Sequence, residues 1–347
     1  ADAERVRTHV SAFASGGEVS VGAVVELRGR GSDLMIPSRN RYTATARTVA
    51  GPMGSKPTVS PKAGLAVAVA AVSAGAILVR LSEAPSSVAA FYRVLFTTLP
   101  LAVVAAWRHR GAFARIRSRD LGFAVLSGVA LAVHFAAWFE SLRWTSVAAS
   151  VTLVQAQPVF VALGAWLLLR ERVTRRMAAG IAVAVGGMVS MSLGDFLGGV
   201  AIGPRPLYGN ALALSGAVAA AAYVLAGRSL RQRIALVPYV TVVYGVCVVV
   251  LFAFVLAAGQ PLVGYPPREW LLFAGLAAGP GLLGHTVLNW ALAHLESSVV
   301  SVSLLGEPVG ATLLAFALLS ETPTPATVGG GCVVLAGIYV TATANSP

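Results

Sequence analysis

Residues 146–187 read SVAASVTLVQAQPVFVALGAWLLLRERVTRRMAAGIAVAVGG, and residues 297–337 return to the same pattern as SSVVSVSLLGEPVGATLLAFALLSETPTPATVGGGCVVLAG. Upstream of the strongest match the offset is 151 positions, which pairs His134 with His285. In the strongest match itself the offset is 150 positions. It pairs Pro158 with Pro308, Glu171 with Glu321, Thr174 with Thr324, Gly180 with Gly330 and Gly187 with Gly337. An apolar segment that occurs twice is typical of membrane proteins built from structural repeats. The chain is therefore predicted to contain two membrane-spanning halves.

The composition indicates a membrane protein independently of any motif. Hydrophobic residues make up 56% of the 347 residues, charged residues only 12%, and the mean hydropathy is +0.77. Such a chain has too little polar surface for a soluble fold. A helix needs about 20 apolar residues to cross a bilayer, and ten segments satisfy this requirement, at about residues 63–81, 87–107, 121–139, 147–169, 177–194, 207–227, 236–258, 270–290, 297–319 and 325–343.

The arginine residues divide the predicted connections into two sets. The connections after the second, fourth and sixth spans are rich in arginine, whereas the alternate connections hold at most one arginine each. Because positively charged loops stay on the cytoplasmic side, we expect a multi-pass protein of the cytoplasmic membrane with both termini inside. The same loops and the N-terminal segment account for the net charge of +12, so no nucleic-acid partner is indicated.

The two halves are predicted to cross the membrane in opposite senses. Each half holds five spans, an odd number, so the connection RERVTRR is inside and its repeat equivalent SETPTPA, which has no arginine, is outside. The predicted fold is an all-α membrane protein with ten transmembrane helices, arranged as two inverted five-helix repeats in residues 61–200 and 201–347. The predicted protein is embedded in the lipid bilayer, and the sequence leaves its oligomeric state open.

Residues 1–60 have a different character, with scattered Gly, Ser, Thr and Arg and no run long enough to span a membrane. We interpret them as a poorly ordered basic segment, with strand-like character only at residues 19–28. Met53 resembles a native start, so the residues before it are a tag, an upstream extension or a cytoplasmic tail. The cysteines, Cys247 and Cys332, lie in apolar spans and are interpreted as packing residues.

Glu307 is the strongest candidate functional residue, because a carboxylate in the middle of an apolar span is costly and needs a reason. It can bind a cationic substrate group or exchange a proton, or it can accept hydrogen bonds that lock neighbouring helices. Its repeat equivalent is Gln157, and a second glutamine, Gln155, lies two residues before Gln157. Pro158 and Pro308 follow directly and predict bends, with a role in gating or in architecture alone.

Four further candidates lie in pairs on the third and eighth spans. His134 and Trp138 are four residues apart, as are His285 and Asn289, so each pair shares one helix face. The two histidines are repeat equivalents and are predicted to line a cavity or to pack against the proline-bearing helices. No third ligand stands at a recognisable spacing, so neither zinc nor another metal is predicted, and no motif predicts a cofactor.

Arg93 lies within the second span, where it can hold a substrate carboxylate or pair with Glu140 or Glu307. Its long stem can also extend toward the membrane surface. Tyr92 and Tyr244 occupy roughly corresponding places in the second and seventh spans. Either tyrosine can line a substrate pathway or pack in the core.

The repeated motif resembles the EamA-type family of the drug/metabolite transporter superfamily. In each half a proline in an apolar helix is followed by a glutamate, a threonine and two glycines, within QPVFVALGAWLLLRERVTRRMAAG and EPVGATLLAFALLSETPTPATVGG. The segment AFYRVLF is also similar to an arginine-bearing segment of that family. The resemblance covers residues of about 63–343 and implies ten helices and alternating access. It departs from the family at ETPTPAT, where two prolines predict a more rigid turn.

The predicted function is therefore secondary-active export or exchange of a small metabolite, such as an amino acid or another small zwitterion or amine. The cavity residues would be Arg93, His134, His285, Gln157, Asn289 and Glu307, with protons as one option for the coupling ion. The alternative is an integral-membrane enzyme that acts on a lipid-linked substrate. No GxSxG, HExxH or DxxD arrangement supports that alternative, and no repeated filter-like loop supports a channel.

Overall fold

A computed structural model of the protein describes residues 7–15, 18–26, 60–113, 115–169, 174–197, 203–230, 234, 236–284, 287 and 303–343. In the N-terminal segment, β1 (Arg7–Ser15) and β2 (Glu18–Glu26) pair antiparallel, with Arg7 opposite Glu26. The second strand overlaps the strand-like residues 19–28, where β-branched valines favour an extended backbone. For the rest of residues 1–60, poor order stays a prediction.

From Ser60 onward the described residues form helices and connections, with no strand among them. The first part of the chain holds α1 (Pro61–Leu81), α2 (Ser86–Arg108), α3 (Arg110–Phe113), α4 (Ser118–Trp144), α5 (Val147–Val154), α6 (Gln157–Leu169) and α7 (Arg175–Leu197). The second part holds α8 (Pro206–Leu230), α9 (Leu236–Ala257), α10 (Pro267–Leu276), a π-helical segment (Ala277–Gly284), α11 (Gly306–Leu319) and α12 (Pro325–Thr343).

Many of these helices have the length and composition of membrane spans. Two shorter apolar helices accompany them, at Gly306–Leu319 and Pro325–Thr341. Large apolar side chains on the outer faces, such as Leu168 (75% exposed), fit contact with lipid. This confirms a multi-pass helical membrane protein. Among the described residues, six helices qualify as spans in full: Pro61–Leu81, Ser86–Arg108, Ser118–Trp144, Val147–Leu168, Pro206–Gly227 and Val237–Ala257.

Both repeat prolines lie directly after an interruption of a helix. α5 ends at Val154 and α6 begins at Gln157, one residue before Pro158. In the second half a turn at Leu305 precedes α11, whose third residue is Pro308. Proline is tolerated in the first turn of a helix because the N–H that it lacks would have no partner within the helix there. The bend predicted at each proline is thus an interrupted helix.

The helices α7 and α12 pack closely through glycines of the repeated motif. A Cβ atom at Gly187 would lie 2.7 Å from the backbone nitrogen of Val334 and 3.0 Å from the carbonyl oxygen of Gly330. A Cβ atom at Gly180 would lie 2.7 Å from the backbone nitrogen of Thr341. Small residues allow helices in a bilayer to approach this closely. The duplicated glycines therefore join one helix of each half.

The helix α4 contacts α2, α8 and α9, while α1 contacts α11 and the π-helical segment. Phe135, Trp138, Phe139 and Leu142 of α4 are all buried. Because these contacts join helices from both halves, they surround a common interior in which polar side chains can meet.

Candidate functional site

A cavity of about 750 Å³ lies between helices of the two halves. Its walls come from α1, α2, α4, α8, α9, the π-helical segment and the interrupted helices at the two prolines. This volume is in the range of small-molecule binding sites. Seven of the residues predicted from the sequence line it: Arg93, His134, Trp138, Gln155, Gln157, Tyr244 and Glu307.

Arg93 is buried on α2, with 5% of its surface exposed. Its guanidinium carbon lies 4.3 Å from the ring centroid of Phe135, 5.5 Å from that of Phe139 and 5.7 Å from that of Trp138. Aromatic faces attract a guanidinium through their negative potential. The Nη1 atom of Arg93 has no hydrogen-bond partner among the described residues. Three aromatic rings of α4 therefore lie around the guanidinium of Arg93.

Glu307 joins the two interrupted helices. Its Oε2 atom accepts a hydrogen bond from Gln155 Nε2 at 2.5 Å, and its backbone carbonyl accepts one from Ser73 Oγ at 3.3 Å. No salt bridge links Arg93 to Glu307 in the part of the chain that is described. The carboxylate and the guanidinium thus remain separate charges in one cavity.

The other predicted partner of Arg93, Glu140, is engaged elsewhere. Trp144 Nε1 donates to Glu140 Oε1 at 2.7 Å, and Ser86 Oγ donates to Glu140 Oε2. These contacts tie the end of α4 to the start of α2. The pairing of Arg93 with Glu140 that the sequence left open therefore does not form in this structure.

His134 and Trp138 share one face of α4, as their spacing predicts. Nδ1 of His134 lies 2.9 Å from the carbonyl oxygen of Gly216 on α8, and because a carbonyl can only accept, Nδ1 carries the proton. The rings of His134 and Trp138 are nearly parallel, with centroids 5.9 Å apart. The predicted partners in the second half, His285 and Asn289, lie outside the described residues.

Tyr92 is the predicted site residue that the structure does not place in the cavity. Its hydroxyl donates to the carbonyl of Leu262 at 2.6 Å, and its ring stacks on Phe273 with centroids 5.0 Å apart. Successive residues of an α-helix point about 100° apart, so Tyr92 faces away from the cavity that its neighbour Arg93 lines. Of the two alternatives for the tyrosines, Tyr92 packs in the core, whereas Tyr244 lines the cavity.

Several lining residues were not predicted from the sequence. Thr97 lies one helical turn after Arg93, and its Oγ1 donates to the Arg93 carbonyl at 2.7 Å, so the i, i+4 spacing was an available signal. Pro280 and Gly281 belong to the π-helical segment, and π-helical turns often occur at functional sites. The GPG sequence inside an apolar span was the signal for that irregular backbone.

A second cavity, of about 550 Å³, lies near the ends of α1, α4 and α11 and the start of α2. Arg80 Nη2 lies 3.2 Å from Glu321 Oε2, and Arg80 Nη1 donates to the carbonyl of Leu142 at 2.5 Å. Glu321 Oε1 accepts from the backbone N–H of Val147, the first residue of α5, at 2.6 Å. Burial raises the pKa of Glu321, and Arg80 and the Val147 N–H oppose this. Glu321 thus connects helices of both halves.

Known proteins resemble this chain along most of its length. The model of the EamA-like transporter family matches it twice, over residues 62–193 and 207–343. One crystal structure of a protein shares the fold with a TM-score of 0.54 and 20% identity, covering 81% of this chain and 95% of the other.

Three relatives carry names that concern transport. Two "uncharacterized transporters" of Archaeoglobus fulgidus are 25% identical over 257 residues (73% of this chain, 86% of the relative) and 32% identical over 209 residues (56% and 67%). A "probable terminal-alkyne amino-acid exporter" of Streptantibioticus cattleyicolor is 27% identical over 230 residues (65% and 74%). With the family model matched over both halves, this chain belongs to the EamA-like transporter family and is a membrane transporter, not an enzyme.

Proposed function

We propose that this protein is a secondary-active transporter that exports or exchanges a small zwitterionic metabolite, such as an amino acid, across the cytoplasmic membrane. The observation that carries the proposal is the 750 Å³ cavity between the two halves, which holds the positive charge of Arg93 and the acidic side chain of Glu307 without a salt bridge between them. Opposite charges in one cavity suit a ligand that bears both an ammonium and a carboxylate group. The name of the Streptantibioticus relative supports an amino-acid substrate and an outward direction.

The proposed architecture is ten transmembrane helices in two inverted repeats, with both termini in the cytoplasm. Support comes from the two matches of the family model and from the duplicated glycines that join α7 to α12. The arginine-rich connections support the orientation. We place the first repeat at residues 61–200 and the second at residues 201–347.

The proposed mechanism is alternating access, in which one half moves against the other around the central cavity. Leu101, Gly227 and Val237 extend the cavity toward helix ends that adjoin arginine-rich connections. At the opposite ends of the helices, Arg80 and Glu321 hold α1, α4, α5 and α11 together. These two features support a conformation that is open toward the cytoplasm and closed toward the outside. The interrupted helices at Pro158 and Pro308 are the elements that we expect to move.

Proton coupling through Glu307 is one way to drive the cycle, and uniport or exchange is the other. Replacement of Glu307 by glutamine removes the ionisable proton and keeps a side chain that can still bond to Gln155. If Glu307 carries the coupling proton, the variant loses the pH dependence of transport. An unchanged rate and an unchanged pH dependence at normal expression would remove Glu307 from the mechanism.

Counterflow in proteoliposomes tests the proposed function. Vesicles that contain the purified protein are loaded with amino acids, amines or sugars, and uptake of the labelled solute is followed at two pH values. A carrier gives saturable exchange with a subset of these solutes. Absence of exchange with every solute, for protein that is folded and inserted, would contradict the proposal for these substrate classes. Chemical conversion of a solute would instead favour the enzyme alternative.

A further inference from the structure

Two side chains that line the central cavity each carry a buried hydrogen-bond donor without a partner among the described residues. The two donors are Nη1 of Arg93 and Nε1 of Trp138. Both side chains line the cavity, and the guanidinium carbon of Arg93 lies 5.7 Å from the ring centroid of Trp138. A guanidinium and an indole N–H donate but cannot accept. The group that satisfies both must therefore be an acceptor, and the positive charge of Arg93 favours an anion.

Among the described residues, neither Glu307 nor Glu140 supplies this group. Glu307 accepts from Gln155, and Glu140 accepts from Ser86 and Trp144. A buried charge that forms no ion pair is costly, even with Glu307 in the same cavity, and in a membrane protein such a charge marks a substrate or ion pathway. The aromatic faces around Arg93 compensate only part of this cost, because they contribute no hydrogen-bond acceptor in the plane of the guanidinium.

We propose that Arg93 and Trp138 form the carboxylate subsite of the substrate cavity. Arg93 pairs with the carboxylate through its planar fork of N–H groups, and the indole N–H of Trp138 donates to the same carboxylate. The guanidinium carbon lies over the rings of Phe135 and Phe139, 4.3 and 5.5 Å from their centroids. Glu307 then receives the ammonium group. The inference rests on the proposed transport function and assigns the carboxylate of the proposed zwitterionic substrate to Arg93 and Trp138.

The carboxylate subsite also predicts which solutes the cavity does not accept. An amine without a carboxylate would leave both donors unpaired and would place a second positive charge near Arg93. A site built to hydrogen-bond a group discriminates strongly against analogues that lack it. Decarboxylated amines lack the acceptor, and amino-acid amides keep a carbonyl acceptor but lose the negative charge that pairs with Arg93, so both are poor substrates.

The first experiment compares three matched sets of solutes in proteoliposomes. The sets are the twenty L-amino acids, the amides of the same amino acids, and the amines formed by their decarboxylation, with taurine and aminoethylphosphonate as further oxyanions. We expect counterflow with amino acids and at least about tenfold slower exchange with amides and amines. Equal exchange of amines or amides would overturn the carboxylate subsite and leave the carrier intact. Exchange of only taurine or the phosphonate would replace the carboxylate by another oxyanion and also overturn it.

A lack of counterflow with every set would contradict the proposed amino-acid transport itself, and the subsite with it. This outcome is distinct from equal exchange of the three sets. The protein used is the full chain, and its folding is checked by a monodisperse elution profile and a cooperative melting transition.

Two variants test the residues individually. Trp138→Phe keeps an aromatic ring beside Arg93 and His134 and removes the N–H together with part of the ring volume, so the half-saturation concentration for the amino acid should rise about three- to tenfold, with a lower melting temperature from the lost packing. Arg93→Lys keeps the charge and loses the planar fork, and a rise of about tenfold or more is expected. Unchanged half-saturation in folded Arg93→Lys would overturn the assignment of Arg93, and an unchanged value in Trp138→Phe would overturn that of Trp138.

Discussion

In this transporter, the role of a residue depends on the face of the helix on which it lies. Tyr92 and Arg93 are neighbours in the sequence, yet Tyr92 bonds to Leu262 in an aromatic cluster, whereas Arg93 lines the central cavity. Tyr244, on α9, lines the same cavity as Arg93. The two tyrosines thus look alike in the sequence and differ in their surroundings.

This difference leads to a paired prediction. Tyr92→Phe removes the hydrogen bond to the Leu262 carbonyl and should lower the free energy of unfolding by about 1 kcal/mol, with no change in half-saturation for the proposed amino-acid substrate. Tyr244→Phe removes a hydroxyl from the cavity wall and should change half-saturation more than stability. Thermal melts and counterflow measure the two effects. The opposite pattern would show that Tyr92 belongs to the transport pathway.

The elements of the fold are joined at two kinds of contact, a glycine interface between α7 and α12 and an ionic contact at the ends of α1, α5 and α11. The glycines of the interface are part of the repeated motif, so the same short sequence serves both halves. The ionic contact uses Glu321, which is also part of the motif, and Arg80, which is not. Each contact can be tested by a variant with a matched control.

At the glycine interface the control is the neighbouring residue. A Cβ atom at Gly187 would lie 2.7 Å from the backbone of Val334, whereas one at Gly186 would have nothing within 4 Å. Gly187→Ala should therefore destabilise the protein by about 1–3 kcal/mol, the usual cost of overpacking. Gly186→Ala should leave stability unchanged or slightly raised, because alanine favours a helix over glycine. The measurement is the melting temperature of each variant in detergent. Equal melting temperatures for the two variants would contradict the close approach of α7 and α12.

For the ionic contact, Glu321→Gln keeps an oxygen for the N–H of Val147 and removes the charge that faces Arg80. We expect a loss of about 1–3 kcal/mol, because a partly buried arginine loses its charged partner. Glu83→Gln is the control, since Glu83 is 88% exposed in its pair with Arg268 and such pairs contribute about 0–1 kcal/mol. Thermal melts of both variants test this. A similar loss of stability in Glu83→Gln would indicate that removing any negative charge destabilises the protein, and that the contact between Arg80 and Glu321 has no specific effect.

The molecule as a whole has an orientation that the arginine residues predict. Ser118 is the first residue of α4, directly after the arginine-rich connection that is predicted to be inside, and Val263 lies in the connection after α9, which is predicted to be outside. Each residue is changed to cysteine in a chain whose Cys247 and Cys332 are replaced by alanine. A thiol reagent that cannot cross membranes should label the cysteine at 263 in intact cells and the cysteine at 118 only after the membrane is opened. The reverse result would invert the proposed topology.

The sequence by itself determined the class of protein, the positions of the apolar spans, the duplicated motif and most of the polar residues of the cavity. It could do so because a bilayer penalises every polar or charged side chain within a span, so that Arg93, His134, Gln155 and Glu307 stand out against their neighbours. Composition and periodicity are local properties and can be read along the chain.

The tertiary structure decided which polar groups meet. Only the packing of α2 against α4 and α9 places Arg93 on three aromatic rings and turns Tyr92 away, and only the approach of the two interrupted helices joins Gln155 to Glu307 across 152 positions. It also revealed that Trp138 and Arg93, which line one cavity, each carry a donor that has no hydrogen-bond partner among the described residues. These facts depend on the rotation and tilt of each helix, which are set by side-chain packing between distant parts of the chain and not by local composition.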